Sequence, residues 1–205
     1  MRKLTLLIVA TLIASVTFAQ SAKEATIAFD KSTNYTGVII EVPGYNVKTA
    51  QDALTNRMEQ VGKLKGTNSG KFRAYLAQQF AEFGQLKYDI YTQVVEEGDK
   101  NYKRTMVHLL VSKGNMNFVN STSDPEVIES MKVFLEDFLV HIKAYDLTIK
   151  ISEHEKLVAK YEKEEKSLQD DLAKMKRQME DKELEISRKQ TELQNTKDAL
   201  EGMRR

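Results

Sequence analysis

Spacings between apolar residues change along this chain, and each spacing predicts an element. Glu24 to Asp30 is weakly extended, with Ile27 and Phe29 on one face. Tyr35 to Val42 is rich in β-branched residues and stops at Pro43-Gly44, which predicts a strand. Val47, Ala50, Leu54, Met58 and Val61 recur at steps of three and four, which predicts one helix with one buried stripe. Lys65 to Gly70 reads as a flexible loop. Over 72–83, Phe72, Tyr75, Leu76, Phe80 and Phe83 suit a helical face, whereas Phe72, Ala74 and Leu76 suit a strand. The glycine-rich turns on both sides favour a strand from Lys71 to about Gln78. Leu86 to Val95 alternates cleanly, Glu97-Gly98-Asp99 forms a turn, and Tyr102 to Ser112 pairs back as an antiparallel hairpin.

An irregular loop, Lys113 to Thr122, precedes a helix start at Ser123-Asp-Pro-Glu126. Ser123 is expected to cap it and Glu126 to complete a capping box. Val127, Ile128, Met131, Phe134, Leu135, Phe138, Leu139 and Ile142 make a stripe broad enough to lie on a sheet. Past Ile142 the apolar register shifts, so the helix either rotates to a new partner or bends near 146–149.

From Ile151 the period is seven. One row holds Ile151, Val158, Glu165, Leu172, Met179, Ile186, Leu193 and Leu200; the other holds His154, Tyr161, Leu168, Met175, Lys182, Lys189, Thr196 and Met203. An apolar repeat averaging 3.5 residues keeps one seam toward a partner helix and predicts a left-handed coiled coil. The expected seam is Ile151, Val158, Tyr161, Leu168, Leu172, Met175, Met179, Ile186, Leu193 and Leu200. No Gly or Pro falls between Glu126 and Glu201, so nothing forces a helical hairpin. A helix over 151–203 would be roughly 80 Å long at about 1.5 Å per residue, too long to bury its own stripe. Across the seam of a parallel pair, Asp171 meets Lys176 and Glu192 meets Lys197, and no flanking pair repels. The expected partner is therefore a second copy in parallel.

The expectation is an α+β chain. A small two-layer antiparallel sheet-plus-helix head of β-α-β-β-β-α order, ferredoxin-like, continues into a long C-terminal coiled-coil helix. Its divisions are a signal peptide over 1–19, the head over 20–145 and the stalk over 146–205. The signal rests on Arg2 and Lys3, the apolar run Leu4 to Val16, and the small residues before a cut between Ala19 and Gln20. That run is shorter than the ~20 apolar residues of a spanning helix, and no later stretch can replace it as a transmembrane anchor. The address is the periplasm or cell envelope.

Composition removes several chemistries. With no cysteine there is no disulfide, thiolate metal site or thiol nucleophile. Removing Arg2 and Lys3 from the 31 basic residues leaves 29 against 30 acidic, which is no footprint for nucleic acid. The three histidines, His108, His141 and His154, form no ligand-spaced pair, and no metal or other cofactor is expected. Gly66 to Lys71 looks like a phosphate loop but has Phe72 where Ser or Thr should hold magnesium. Carboxylate pairs such as Glu164-Glu165 stand on a solvated rod with no walled site to shift their pKa. Asn34 and Asn120 head glycosylation triplets. The aromatics Phe72, Phe80, Phe83, Tyr88, Tyr91 and Tyr102 suit core packing better than a binding face. No catalytic residue is expected.

Three motifs, Tyr-Asp-Ile-Tyr (88–91), Leu-Leu-Val-Ser-Lys-Gly (109–114) and Ala-Tyr-Asp-Leu (144–147), precede the charged coil, and the signal ends Phe-Ala-Gln. In this layout the chain resembles a family of uncharacterised exported proteins from Bacteroidetes. The resemblance implies the fold and the envelope address, and supplies no activity. The functional expectation is a non-catalytic exported protein that oligomerises or bridges through its coil. The alternative is a periplasmic holdase-type chaperone for envelope proteins.

Overall fold

A computed structural model describes residues 21–100 and 102–204. The expected signal segment and its cut lie outside the described residues. The chain divides into two units, one ending at Leu147 and the other starting at Thr148.

The elements are β1 (Lys23–Ala28), β2 (Asn34–Glu41), α1 (Val47–Thr55), β3 (Thr67–Ser69), β4 (Phe72–Gln79), β5 (Lys87–Gly98), β6 (Lys103–Ser112) and α2 (Pro125–Arg204). The architecture is α+β: the strands form one sheet in the order β1-β2-β6-β5-β4-β3, with a long C-terminal helix. Every strand pairing is antiparallel. A ferredoxin-like sheet follows the order β-α-β-β-α-β, with a second helix ahead of its last strand. Here β5 turns directly into β6 and the long helix follows the last strand, so the structure shows the α+β class and does not show the ferredoxin-like order. Two strands beyond the four expected, β1 and β3, sit at its edges.

Local chemistry explains the turns. Asp30 accepts from the backbone N–H of Ser32 at 2.8 Å and of Thr33 at 2.7 Å, closing the β1–β2 connection. Those bonds, that of Ser32 foremost, hold its carboxyl below the ordinary range. Asn46 caps α1 by accepting from the Thr49 N–H at 2.9 Å. The loop expected over 65–70 is instead a hairpin: β3 pairs with β4 across Gly70-Lys71, and Gly70 has the positive φ (61°) that a tight hairpin turn demands. A strand follows Lys71 where a phosphate loop needs a helix.

Two expected packing positions and one expected helix cap are corrected. Val61 is 51% exposed, because α1 passes into a π-helical turn over Asn56–Val61. There the Gly62 N–H reaches back five residues to the Arg57 carbonyl, and the wider turn rotates Val61 off the stripe. Leu76 is exposed because the β4–β5 register shifts between Tyr75 and Gln78. Ala77, at φ 51°, donates its N–H to Asp89 at 2.7 Å in that bulge. Ser123 does not cap α2: its hydroxyl binds Asp124, while Asn120 accepts the N–H groups of Thr122 and Ser123, each at 3.0 Å. Asp124 precedes the helix and pairs with Lys113, whose ammonium, with Ser123, holds that carboxyl below its usual range.

Strand alternation sends side chains to two cores. On one face Val38, Ile40, Ile90, Val94, Val107, Leu109 and Val111 meet Ala50, Ala53, Leu54 and Met58 of α1 and its extension. The same core takes the α2 stripe Ile128, Met131, Phe134, Leu135, Phe138 and Ile142. On the other face Ile27, Phe72, Ala74, Tyr91, Leu110 and Phe118 are buried, with Phe29, Tyr35 and Ile39 packed on them. Among the described residues no helix packs on that second core; Phe118 of the 113–122 loop does, held by an antiparallel bridge with Ser112. Of the six aromatics weighed as a face, only Tyr102 is exposed.

Candidate oligomerisation seam

The seam positions all lie on α2, which runs unbroken from Pro125 to Arg204. Residues 146–149 are helical, so no turn or break of the helix falls there. A step of seven residues falls about 20° short of two full turns of a straight helix, so the rows drift slowly around it, and a left-handed supercoil would be needed to keep them toward one partner. All ten predicted seam residues are exposed, from 49% at Leu200 to 70% at Leu168. Within the second unit nothing covers them. Three further apolar side chains of the second unit, Ile149, Leu157 and Leu184, are exposed off the two rows.

Polar intrusions in the rows have partners on the same helix. Lys182 reaches Glu185 and Lys189 reaches Glu192, both at 2.7 Å, and Glu165 accepts from Gln169 at 3.0 Å. Both lysines are thus drawn sideways, off the apolar rows and toward the flank, where a long stem can lie over apolar surface. Lys160–Glu164 at 3.7 Å and Lys174–Asp171 at 3.4 Å line the remaining surface. Each pair supports the helix by only about 0.2–0.5 kcal/mol. They support the helix without covering the apolar rows.

In the first unit the ionisable groups are used in packing. Arg73 on β4 binds Glu59 at 2.7 Å, and Arg57 pairs with Glu82 while lying over the Phe134 ring. Burial first, then the Glu59 charge, pushes the Tyr75 hydroxyl up to about 12. Sequence reasoning missed these pairs because the partners are 14 and 25 residues apart on different elements. His108 on β6 meets Glu97 of β5 at 3.0 Å, while His154 is exposed on α2. Among the described residues no group of three or more His, Asp or Glu side chains gathers as a metal ion would need.

Burial lowers the pKa of both His108 and His141 from 6.5; at His108 the Glu97 carboxylate opposes this, and at His141 the Arg57 charge adds to it. The unfolded chain therefore takes up these protons first as pH falls. The stability they supply is complete above the unfolded value and is lost as pH falls from about 6.5 toward the folded ones. Denaturation midpoints at about pH 7.5 and 5.5 should show the lower stability at 5.5. The double variant His108→Gln, His141→Gln should narrow that gap, and an unchanged gap would refute it.

No protein-family model, no curated protein and no solved structure matches the chain.

Proposed function

We propose that this is a non-catalytic exported protein of the periplasm or cell envelope that joins copies of itself in parallel through a coiled coil on α2. One observation carries the reading: ten apolar side chains in two seven-residue rows, each about half exposed or more, on an unbroken helix. Apolar residues scattered singly over a surface need no explanation, but a periodic row does. Covering each such side chain is worth on the order of 1 kcal/mol. Opposite charges at Asp171 with Lys176 and Glu192 with Lys197 favour the parallel pair. In this reading the compact unit docks or binds, and the coil sets how many copies are presented together.

Sedimentation equilibrium of the chain from residue 20 onward tests this. At tens of micromolar it should sediment as a dimer or larger species. Leu168→Glu with Leu172→Glu places a charge in two adjacent seam layers and should weaken association at least 100-fold. A monomeric unsubstituted chain would sink the proposal.

A further inference from the structure

We infer that the surface joining two copies begins in the first unit, where Val133, Val140 and Leu147 of α2 meet their own counterparts in a parallel pair. The inference rests on the self-association proposed above and extends it to residues outside the predicted seam. All three side chains are exposed, Val133 by 50%, Val140 by 69% and Leu147 by 59%. They follow one another at intervals of seven, and counting on by seven gives His154, Tyr161, Leu168 and Met175.

Helical geometry separates this row from the core. At about 100° per residue, Val133 and Val140 stand roughly half a turn from the mean direction of Met131, Leu135 and Phe138, which are buried against the sheet. They cannot be outlying members of that stripe. Valine is also a poorer helix former than the charged residues around it, so packing within a single copy and helix propensity both leave the row unexplained. Ala144 occupies the companion row, and a small residue there lets two helices approach closely.

A second copy is the occupant that the spacing specifies. In a parallel pair each residue of a row faces its own counterpart, so one register covers both sets of positions. The charges indicate where this contact is strongest. Val133 borders a hollow of about 480 Å³ walled by Glu82, Glu126, Glu129 and Asp137. Asp137 lies on the companion row, so two copies would bring two of these carboxylates together. Val140 and Leu147 then carry the contact, and Val133 adds less.

The absence of native cysteine makes single-cysteine variants unambiguous. Val140→Cys, Leu168→Cys and, as a control on α1, Lys48→Cys are made in the chain from residue 20 and oxidised at tens of micromolar. A parallel pair should link through Cys at 140 and at 168, with at least tenfold less linkage at 48. Linkage at 168 without 140 overturns the inference and leaves the self-association reading standing. Linkage at neither position in a chain that sediments as an oligomer overturns the parallel arrangement, and the inference with it. Linkage at neither in a monomeric chain defeats both readings, and equal linkage at all three marks random collision and overturns the inference. A second measurement is independent of disulfide geometry. Val140→Glu should weaken association at least tenfold with an unchanged unfolding temperature, and Asp137→Asn should strengthen it severalfold. Unaltered association in both variants overturns the inference.

Discussion

Phe134→Ala is expected to remove about 3–5 kcal/mol from the first unit. The Phe134 ring is 1% exposed. It meets Phe80 at 5.5 Å and Phe83 at 5.6 Å, both edge-to-face, and supports the Arg57 guanidinium at 5.8 Å. Truncation would leave a void bounded by two rings that are themselves fixed by the short turn Ala81–Phe83, so the site cannot close over it. It would also remove the surface on which the Arg57–Glu82 pair rests. For a unit of this size the loss corresponds to a fall in Tm on the order of 10–20 °C. Calorimetry should show that fall, while Lys132→Ala, two residues away and part-exposed, should stay within about 0.5 kcal/mol of the parent. A Phe134→Ala variant within about 1 kcal/mol of the parent would mean that α2 is not held to the sheet through this cluster.

Gly37→Ala should be nearly as damaging, for a different reason. A Cβ on Gly37 would lie 2.5 Å from the Leu109 carbonyl oxygen, 2.6 Å from Ile27 Cδ1 and 2.7 Å from Leu110 Cδ2. The backbone of Gly37 is ordinary extended strand, so the conflict is one of space. Side chains could swing away at small cost, but the Leu109 carbonyl belongs to the strand beside β2. Relieving the clash means parting β2 from β6, at about 3 kcal/mol, the upper end of what overpacking costs. Chemical denaturation should record the loss, and amide exchange should quicken first in β1 and β2. Gly202 gives the contrast. It lies in α2 with open space around it, so Gly202→Ala should stabilise the helix by about 0.5–1 kcal/mol. Equal effects at the two glycines would contradict the packing described.

Much of this architecture is legible in the sequence because apolar spacing records which face is buried. The stripe Ile128 to Ile142 and the alternation of Leu86 to Val95 each specify a period, and both elements form where the period places them. The stretch 72–83 satisfies two periods at once; it resolves as β4 followed by a 3-10 turn, with pairing to β5 deciding between them. What was not legible follows from local departures from ideal geometry. A π-turn moves Val61 outward, a bulge moves Leu76 outward, and neither leaves a mark in residue type. Asn120 fixes the turn ahead of α2, and the Ser123 hydroxyl, turned to Asp124, stays out of the cap it seemed placed for. The period behind the proposed seam was legible, but the residues of its proposed extension were hidden. Val133 and Val140 are interleaved with the core stripe, and only their exposure tells the two rows apart.

The ring cluster over the second sheet face has a practical consequence. The chain has eight tyrosines and no tryptophan, and Tyr35 stacks at 4.0 Å on Phe118 while Tyr91 stands edge-on to Phe29 at 5.2 Å. Aromatic circular dichroism in the near ultraviolet therefore reads the closure of that face, whereas the far-ultraviolet helical signal belongs mostly to α2. One sample can thus report melting of the sheet and of the rod in separate spectral windows, without a dye or a label.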